Sequence, residues 1–166
     1  RTLAGPSATT QYAFQVDVVT GMERLYQYLV EKKRDGSTRR LNTAPDGTQT
    51  ELVKQTTDVE RAVSPDGTWT VATMGPEQGR FGLQAPVSKR VEVSTPGMRA
   101  AVPAEAAVLE QSRVVTLASP PDPREVDSVV ETITFNGRTQ TRVYDGATRT
   151  ISEESAAGRH RTIILD

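Results

Sequence analysis

A nine-residue pattern near the C-terminus occurs twice, and it constrains the fold more than any other feature of the chain. Residues 137–145 and residues 158–166 both read G-R-x-x-T-x-x-x-D, and the second copy begins 21 residues after the first. Each copy opens with a glycine suited to a turn and continues with β-prone residues. Repetition at such a period is typical of stacked units, each too small to bury its own apolar face. We therefore expect an array of strands held together by contacts between neighbouring units.

The residues that define the two copies are the candidate structural residues of the repeat. The glycines free the backbone to turn, and the arginines that follow them can reach a carboxylate or carbonyl on an adjacent strand. The aspartates lie where strands end, where a carboxylate commonly accepts backbone amides to start a turn. Tyrosine suits a sheet face that is partly in contact with water. In chain order these residues are Gly137, Arg138, Thr141, Tyr144, Asp145, Gly158, Arg159, Thr162 and Asp166.

Turn dipeptides divide much of the chain into short segments with alternating residues. They are Asp35-Gly36, Asp46-Gly47, Asp66-Gly67, Asn136-Gly137 and Asp145-Gly146. Two consecutive residues that accept positive φ predict type I′ hairpins at these sites. The pattern predicts an all-β fold, an antiparallel repeat array with short hairpin turns and little helix. The expected strands are 11–19, 24–33, 37–42, 48–55, 68–74, 87–95, 112–117, 128–135, 138–144, 148–153 and 160–165.

We interpret residues 1–166 as one β repeat array that is a fragment of a longer polypeptide. The strength of the repeat pattern varies along this array. A block with a weaker pattern covers 11–74, a connector covers 75–86, and a block with a clearer pattern covers 87–166. Within the last block, three prolines make 119–124 a loop, because proline cannot belong to a central strand.

Residues 103–111 contain good helix formers behind a proline, yet they lie inside the strand pattern. Local propensity favours a short helix there, whereas membership of an array favours a strand. The sequence leaves both readings open.

Composition argues against several kinds of chemistry. The chain has no cysteine, so disulfides, thiolate catalysis and cysteine-ligated metals are excluded. With 20 Lys and Arg against 21 Asp and Glu there is no basic field for nucleic acid, and no apolar run reaches the length of a membrane span. The single histidine, His160, occupies a variable position of the repeat. We expect no catalytic residues, no cofactor and no metal site, and hence no enzyme.

Several segments resemble the RHS or YD repeat family of bacterial proteins. The resemblance lies in Tyr144 to Ile151 (YDGATRTI), in 155–159 (SAAGR) and in the strand that ends at Leu165-Asp166. The segment 79–87 (GRFGLQAPV) and the run from Asn136 into the Tyr-Asp pair resemble a connector found between such repeats. The resemblance covers about residues 64–166. Each motif taken alone is degenerate, but the order and spacing of the motifs together are more specific. The second copy departs from the family by ending in Leu-Asp, not Tyr-Asp.

The resemblance implies a long β-strand ribbon that spirals into a shell around a C-terminal toxin, or forms an extended surface protein. It implies a secreted or cell-surface location in a bacterium and a non-enzymatic, scaffolding role. The expected partners are adjacent repeats of the parent polypeptide, a C-terminal toxin, and other copies joined through exposed strand edges.

Two other functions remain open on the sequence. Tyr12, Tyr26, Tyr28 and Trp69 suggest a carbohydrate- or surface-binding β module, with Tyr26 and Tyr28 on one strand face. A glycan-processing enzyme on a β scaffold would need two carboxylates about 5–10 Å apart. The acids available for such a pair include Asp58, Glu60, Glu77, Glu125, Asp127, Glu131, Glu153 and Glu154.

Overall fold

The computed structural model describes residues 2–4, 7, 9–96, 106–119 and 122–166. These residues form strands joined by turns, and none of them lies in a helix. The expected all-β, antiparallel fold with hairpin connections is confirmed. The chain divides into two compact units, the first comprising Arg1–Ala72 with Val93–Ala106 and the second Thr73–Glu92 with Ala107–Asp166.

The first unit contains an antiparallel meander in which each strand pairs with the next along the chain. Short turns force this order, because strands joined by so few residues can only lie side by side and antiparallel. Its strands are β1 (Thr2–Ala4), β2 (Thr10–Val19), β3 (Leu25–Lys33), β4 (Thr38–Thr43), β5 (Gln49–Lys54) and β6 (Val59–Val63).

The second unit contains a meander of the same kind. Two further strands, β7 (Trp69–Glu77) and β8 (Gly82–Ser94), contribute residues to both units. The remaining strands are β9 (Ala107–Leu117), β10 (Val126–Phe135), β11 (Arg138–Asp145), β12 (Thr150–Glu154) and β13 (His160–Ile164).

The Asp-Gly turns differ from the predicted type. In the turn at Gly47, the amide of Gly47 donates to the carbonyl of Ala44, and the amide of Ala44 donates to the carbonyl of Thr48, both at 2.9 Å. Gly47 has φ 83°, but Asp46 does not have positive φ. This is a type I turn closed by a left-handed glycine, which needs one such residue and not two. The turns at Gly36 and Gly67 are built in the same way.

The loop between β10 and β11 does have the predicted conformation. Asn136 and Gly137 are the only two residues between the strands, and both have positive φ, 46° and 79°. Gly158 instead closes a turn like that of Gly47, donating to the carbonyl of Ser155 at 2.9 Å. Gly137 and Gly158, which open the two copies of the repeat, therefore lie in different kinds of turn, although each leads directly towards a strand.

Gly146 is required for a different reason, since its φ is not positive. A Cβ atom at this position would lie 2.5 Å from the carbonyl oxygen of Val126 and 2.8 Å from that of Asp127. The amide of Gly146 donates to the Asp127 carbonyl at 2.7 Å. The glycine thus permits a close backbone approach, so the type I′ prediction for Asp145-Gly146 was also wrong.

Three predicted segments change their bounds. Residues 107–111 belong to β9, so this part of the undecided stretch is strand, while 103–105 lie outside the described residues. Most of the segment 75–86 is also strand, because β7 extends to Glu77 and β8 begins at Gly82. In 119–124, the described residues 119 and 122–124 lie between strands, and the two consecutive prolines lie outside the described residues.

Deep burial is sparse in both units. Among the described residues, the buried apolar side chains are Ala13 in the first unit and Val115 in the second. Buried polar residues are Ser37, Glu77 and Ser94. Most strand side chains are only half-covered, by neighbours on the same face of the sheet. Cross-strand pairs therefore contribute a large share of what holds each meander together.

Candidate functional site

The second unit carries one row of opposite charges that crosses all five strands of its meander. Residues directly opposite one another in antiparallel strands share a face, so the register places these side chains in line. We call this set the charged row. From β9 to β13 it consists of Arg113, Glu131, Arg142, Glu153 and Arg161.

From Arg113 to Glu153, the charges of the row contact one another in sequence. Arg113 Nε lies 3.4 Å from Glu131 Oε1, and Arg142 Nη1 lies 4.0 Å from Glu131 Oε2. Arg142 Nε lies 3.4 Å from Glu153 Oε1. Glu131 is thus held between two arginines, and Arg142 between two glutamates. Each opposite-charge pair of this kind typically contributes about 0.2–1 kcal/mol.

At its β9 end the row contacts a buried carboxylate. Glu77, at the end of β7, is 4% exposed, and its Oε1 lies 2.7 Å from Arg80 Nη2 and 3.9 Å from Arg113 Nη1. Three polar atoms here are buried without a hydrogen-bond partner: Glu77 Oε2, Arg80 Nε and Arg113 Nε. The 3.4 Å approach of Arg113 Nε to Glu131 is an ion-pair contact and not a hydrogen bond. Leaving such groups unsatisfied costs free energy, and for buried ion pairs the desolvation cost can exceed the Coulombic gain.

A close backbone contact positions Glu77 and Arg80. The amide of Val115 donates to the carbonyl of Gln78 at 3.0 Å. Gly79, with φ 104°, is so close to β9 that a Cβ there would lie 1.8 Å from the Val115 oxygen. The bend that follows β7 therefore brings Glu77 and Arg80 to the charged row only because residue 79 is glycine. Arg80 also lies over the ring of Phe81, 5.1 Å from its centre.

An apolar row lies beside the charged row on the same face, because its members are two residues away along each strand. Between the two rows is a depression of about 220 Å³, lined by Arg113, Val129, Glu131, Arg142, Tyr144 and Ile151. Ligand pockets are usually about 300–1,000 Å³. We call the second set the apolar row, and it consists of Val115, Val129, Tyr144, Ile151 and Ile163.

The first unit contains a shorter charge arrangement of the same kind. Arg39 on β4 hydrogen-bonds to Glu51 on β5 at 2.5 Å and to Glu31 on β3 at 2.9 Å. The bonds to Glu51 and then Glu31 raise the pKa of Arg39 above its ordinary value. Each unit thus holds an arginine between glutamates from its two neighbouring strands.

The predicted repeat residues have mixed roles. Tyr144 lies in the apolar row, and Asp145 accepts the amides of Ala147 and Thr148 at 2.9 and 3.1 Å. These bonds, that of Thr148 most, lower the pKa of Asp145. Thr141 lies opposite Thr132 and Glu154, whereas Thr162 lies opposite Ser152. The two threonines therefore do not occupy the same row of the sheet.

The arginines of the repeat do not make the cross-strand contacts expected of them. Arg138 and Arg159 are exposed, and within the described residues neither has an ion pair or a side-chain hydrogen bond. Asp166 is exposed and follows the end of β13. The arginines that do pair across strands, Arg113 and Arg142, lie at positions that the repeat pattern did not select. Their signal in the sequence is an opposite charge at the matching position of the next strand.

The other residues considered in the sequence occupy separate places. His160 lies opposite Glu154, with 4.0 Å between Nε2 and Oε1, and both side chains are exposed. Tyr26 and Tyr28 share a face of β3, as predicted, and lie opposite Val18 and Val16 of β2. Tyr12 lies on that same face by register.

The sequence matches no protein-family model and aligns with no curated protein at a significant level. No helix in the described part of the chain is long and apolar enough to cross a membrane. Among those same residues, no three acidic or histidine side chains are grouped so as to hold a metal ion.

Proposed function

We propose that this chain is a non-enzymatic structural segment of a larger RHS/YD-like protein that is secreted or displayed on a bacterial surface. The observation that carries the proposal is the charged row, in which residues of opposite charge lie opposite one another over five successive strands of one meander and the first four are in ion-pair contact. A constellation used for catalysis or ligand binding converges on one point. A row that repeats strand by strand instead places each charge opposite one of the other sign on the neighbouring strand.

The row also fixes the register of the strands. A slip of one residue moves every side chain of a strand to the opposite face. Arg142 would then leave Glu131 and Glu153, and the charged row would be interrupted on both sides of β11. The alternation of charge thus favours one pairing over its neighbours, which is a function suited to a long array of similar strands.

The resemblance to RHS and YD repeats supplies the biological part of the proposal. In such a protein this segment would be part of a wall that encloses or presents a C-terminal toxin, with adjacent repeats as its partners. The 21-residue repetition and the hairpin order of the strands support that assignment. The family, the location and the toxin rest on the sequence resemblance.

Turnover assays over a panel of bacterial and plant glycans test the absence of catalysis. We expect no product from the wild-type chain, and we expect His160→Ala to leave the fold intact. Glycan turnover that disappears in Glu131→Gln or Glu153→Gln, with the circular dichroism spectrum unchanged, would overturn the proposal in favour of an enzyme. Glu154→Gln, on the opposite face of β12 from Glu153, is the matched control.

A carbohydrate- or surface-binding module is the second candidate, favoured by the tyrosine-bearing face of the first unit. Tyr12 and Tyr28 are 49% and 41% exposed on that face, beside the exposed Val16 and Val18. Exposed aromatic rings of this kind stack on the apolar faces of sugars. Glycan-array binding that is lost in both Tyr12→Ala and Tyr28→Ala, but kept in Tyr144→Ala, would favour this function over the structural one.

A further inference from the structure

The strands of the second unit present two alternating patterns on the face of the charged row. β10 and β12 offer an aliphatic residue followed two positions later by glutamate. β9, β11 and β13 offer arginine followed two positions later by an apolar residue. The first pattern comprises Val129-x-Glu131 and Ile151-x-Glu153, and the second comprises Arg113-x-Val115, Arg142-x-Tyr144 and Arg161-x-Ile163.

β13 ends this alternation with an arginine that has no partner on its outer side. It pairs with β12 and with no second strand among those described. Arg161 is exposed and, within the described residues, makes no ion pair or side-chain hydrogen bond. Ile164, on the other face of the same strand, is 75% exposed. This edge has no proline or bulge, and of the features with which natural sheets commonly protect free edges it has charged side chains.

The backbone of β13 is oriented to accept another strand. The amide of Ser155 donates to the carbonyl of Arg159 at 2.9 Å, and that of Leu165 donates to the carbonyl of Arg149 at 2.8 Å. Hydrogen-bonded pairs alternate along an antiparallel ladder, so the odd-numbered residues of β13 bond towards β12. The amide and carbonyl groups of His160, Thr162 and Ile164 therefore point outward from the edge.

We propose that the free edge of β13 binds an extended acidic peptide segment that carries the pattern aliphatic-x-Glu. Bound antiparallel, the segment places its glutamate opposite Arg161 and its aliphatic residue opposite Ile163. Both positions would be non-hydrogen-bonded pairs, in which opposing side chains approach most closely, with about 4.5 Å between Cα atoms. The bound strand continues the charged row and the apolar row together, by β-strand addition.

Charge favours such a segment over a second copy of this chain. From Arg159 to Ile164 the edge carries Arg159, His160 and Arg161 and no carboxylate. Two copies of β13 meeting edge to edge would place these basic residues on adjoining strands with no acid between them, which is destabilising. The aliphatic-x-Glu strands of a second copy, β10 and β12, are already paired on both edges.

The proposal extends the structural role by naming the chemistry of the partner strand. Its readout is peptide binding, which is separate from the turnover assay that tests the absence of catalysis. An enzyme built on this sheet would still bind the peptide, and a structural segment without this edge specificity would not.

The experiment titrates the whole chain, labelled with ¹⁵N, with a peptide that copies residues 148–155 (TRTISEES). A second peptide carries Glu153→Arg. We expect amide shifts at His160, Thr162 and Ile164 and a preference for the glutamate peptide. In the protein, Arg161→Gln should weaken binding about two- to fivefold, as expected for loss of one cross-strand charge pair, and Arg161→Glu should reverse the preference. The matched control is Arg138→Gln, which removes an exposed arginine on the same face of the sheet, at a position of β11 that lies opposite Phe135 of β10.

Three results would each overturn the proposal. The first is no binding at millimolar peptide, and the second is equal binding of the glutamate and arginine peptides. The third is a set of shifts that includes Ile151 and Glu153 as strongly as Thr162, which would mean that the peptide displaces β12 and does not add to β13. Circular dichroism of each variant, compared with that of the wild type, verifies that the fold is retained.

Discussion

Glu131 on β10 lies directly opposite Arg142 on β11, with 4.0 Å between Oε2 and Nη1. The same carboxylate lies 3.4 Å from Arg113 on β9. Read along β10 alone, Glu131 interrupts an apolar face formed by Val129, Ile133 and Phe135. Read across the sheet, it is the middle of three alternating charges. The side chain therefore joins three strands at one point.

Replacing Glu131 should lower stability more than replacing a carboxylate outside the row. We expect Glu131→Gln to reduce the free energy of unfolding by about 1 kcal/mol, because Arg113 and Arg142 both lose their charged partner. Glu154→Gln, whose side chain is 58% exposed, should change it by less than about 0.5 kcal/mol. Urea unfolding followed by circular dichroism measures both. Equal effects of the two substitutions would argue against the charged row as a stabilising feature.

Among the glycines in the described part of the chain, Gly79 should be the least tolerant of substitution. In Gly79→Ala the new Cβ would lie 1.8 Å from the Val115 oxygen, at φ 104°, so the bend must move away from β9. We expect a loss of more than about 3 kcal/mol, from steric overlap combined with backbone strain.

Gly47→Ala is the matched control, because Gly47 also has positive φ, 83°, but nothing lies within 4 Å of a Cβ there. Strain alone should cost about 1–2 kcal/mol at that position. Thermal unfolding of both variants distinguishes the cost of steric overlap from the cost of backbone strain. Similar melting temperatures would show that the bend at Gly79 does not approach Val115 as closely as described.

Acid should destabilise the Asp-Gly turns of the first unit. The hydroxyl and amide of Thr48 lower the pKa of Asp46, and the amide and hydroxyl of Thr68 lower that of Asp66, both from an ordinary value of 3.8. A carboxyl group whose folded pKa is depressed contributes stability above its unfolded pKa, and this is lost as the pH falls through the folded pKa. The loss should therefore occur below pH 3.8.

The double variant Asp46→Asn with Asp66→Asn tests this dependence. Asparagine keeps an acceptor oxygen for the turn but does not titrate. We expect its unfolding free energy to depend less steeply on pH below 3.8 than that of the wild type. Parallel pH profiles for the two proteins would show that these turns do not contribute to acid sensitivity.

Much of the strand order could be predicted from the sequence, because glycine turns and alternation are local signals. β6 was missed. The turn before it has no glycine, and Asp58 instead takes the left-handed conformation, with φ 58°. Residues 107–111 have helix-forming side chains, yet they form strand because pairing with β10 outweighs a small local preference.

The charged row could not be found by reading one strand at a time. Arg142 and Glu153 are 11 positions apart in the chain, and only the register of β11 and β12 places them opposite each other. That register depends on the loop 146–149, whose conformation includes a left-handed arginine, Arg149, with φ 51°. The sequence pattern instead selected Arg138 and Arg159. These arginines conform to the repeat, but within the described residues their side chains make no ion pair.

A double-mutant cycle between Arg142 and Glu153 tests most directly whether the charged row holds the strands together. The cycle compares Arg142→Gln, Glu153→Gln and the double variant in urea unfolding at low ionic strength. A structural row predicts a favourable coupling of about 0.5 kcal/mol, which should shrink in about 1 M salt because exposed charges are screened. Coupling indistinguishable from zero at low salt would contradict the account.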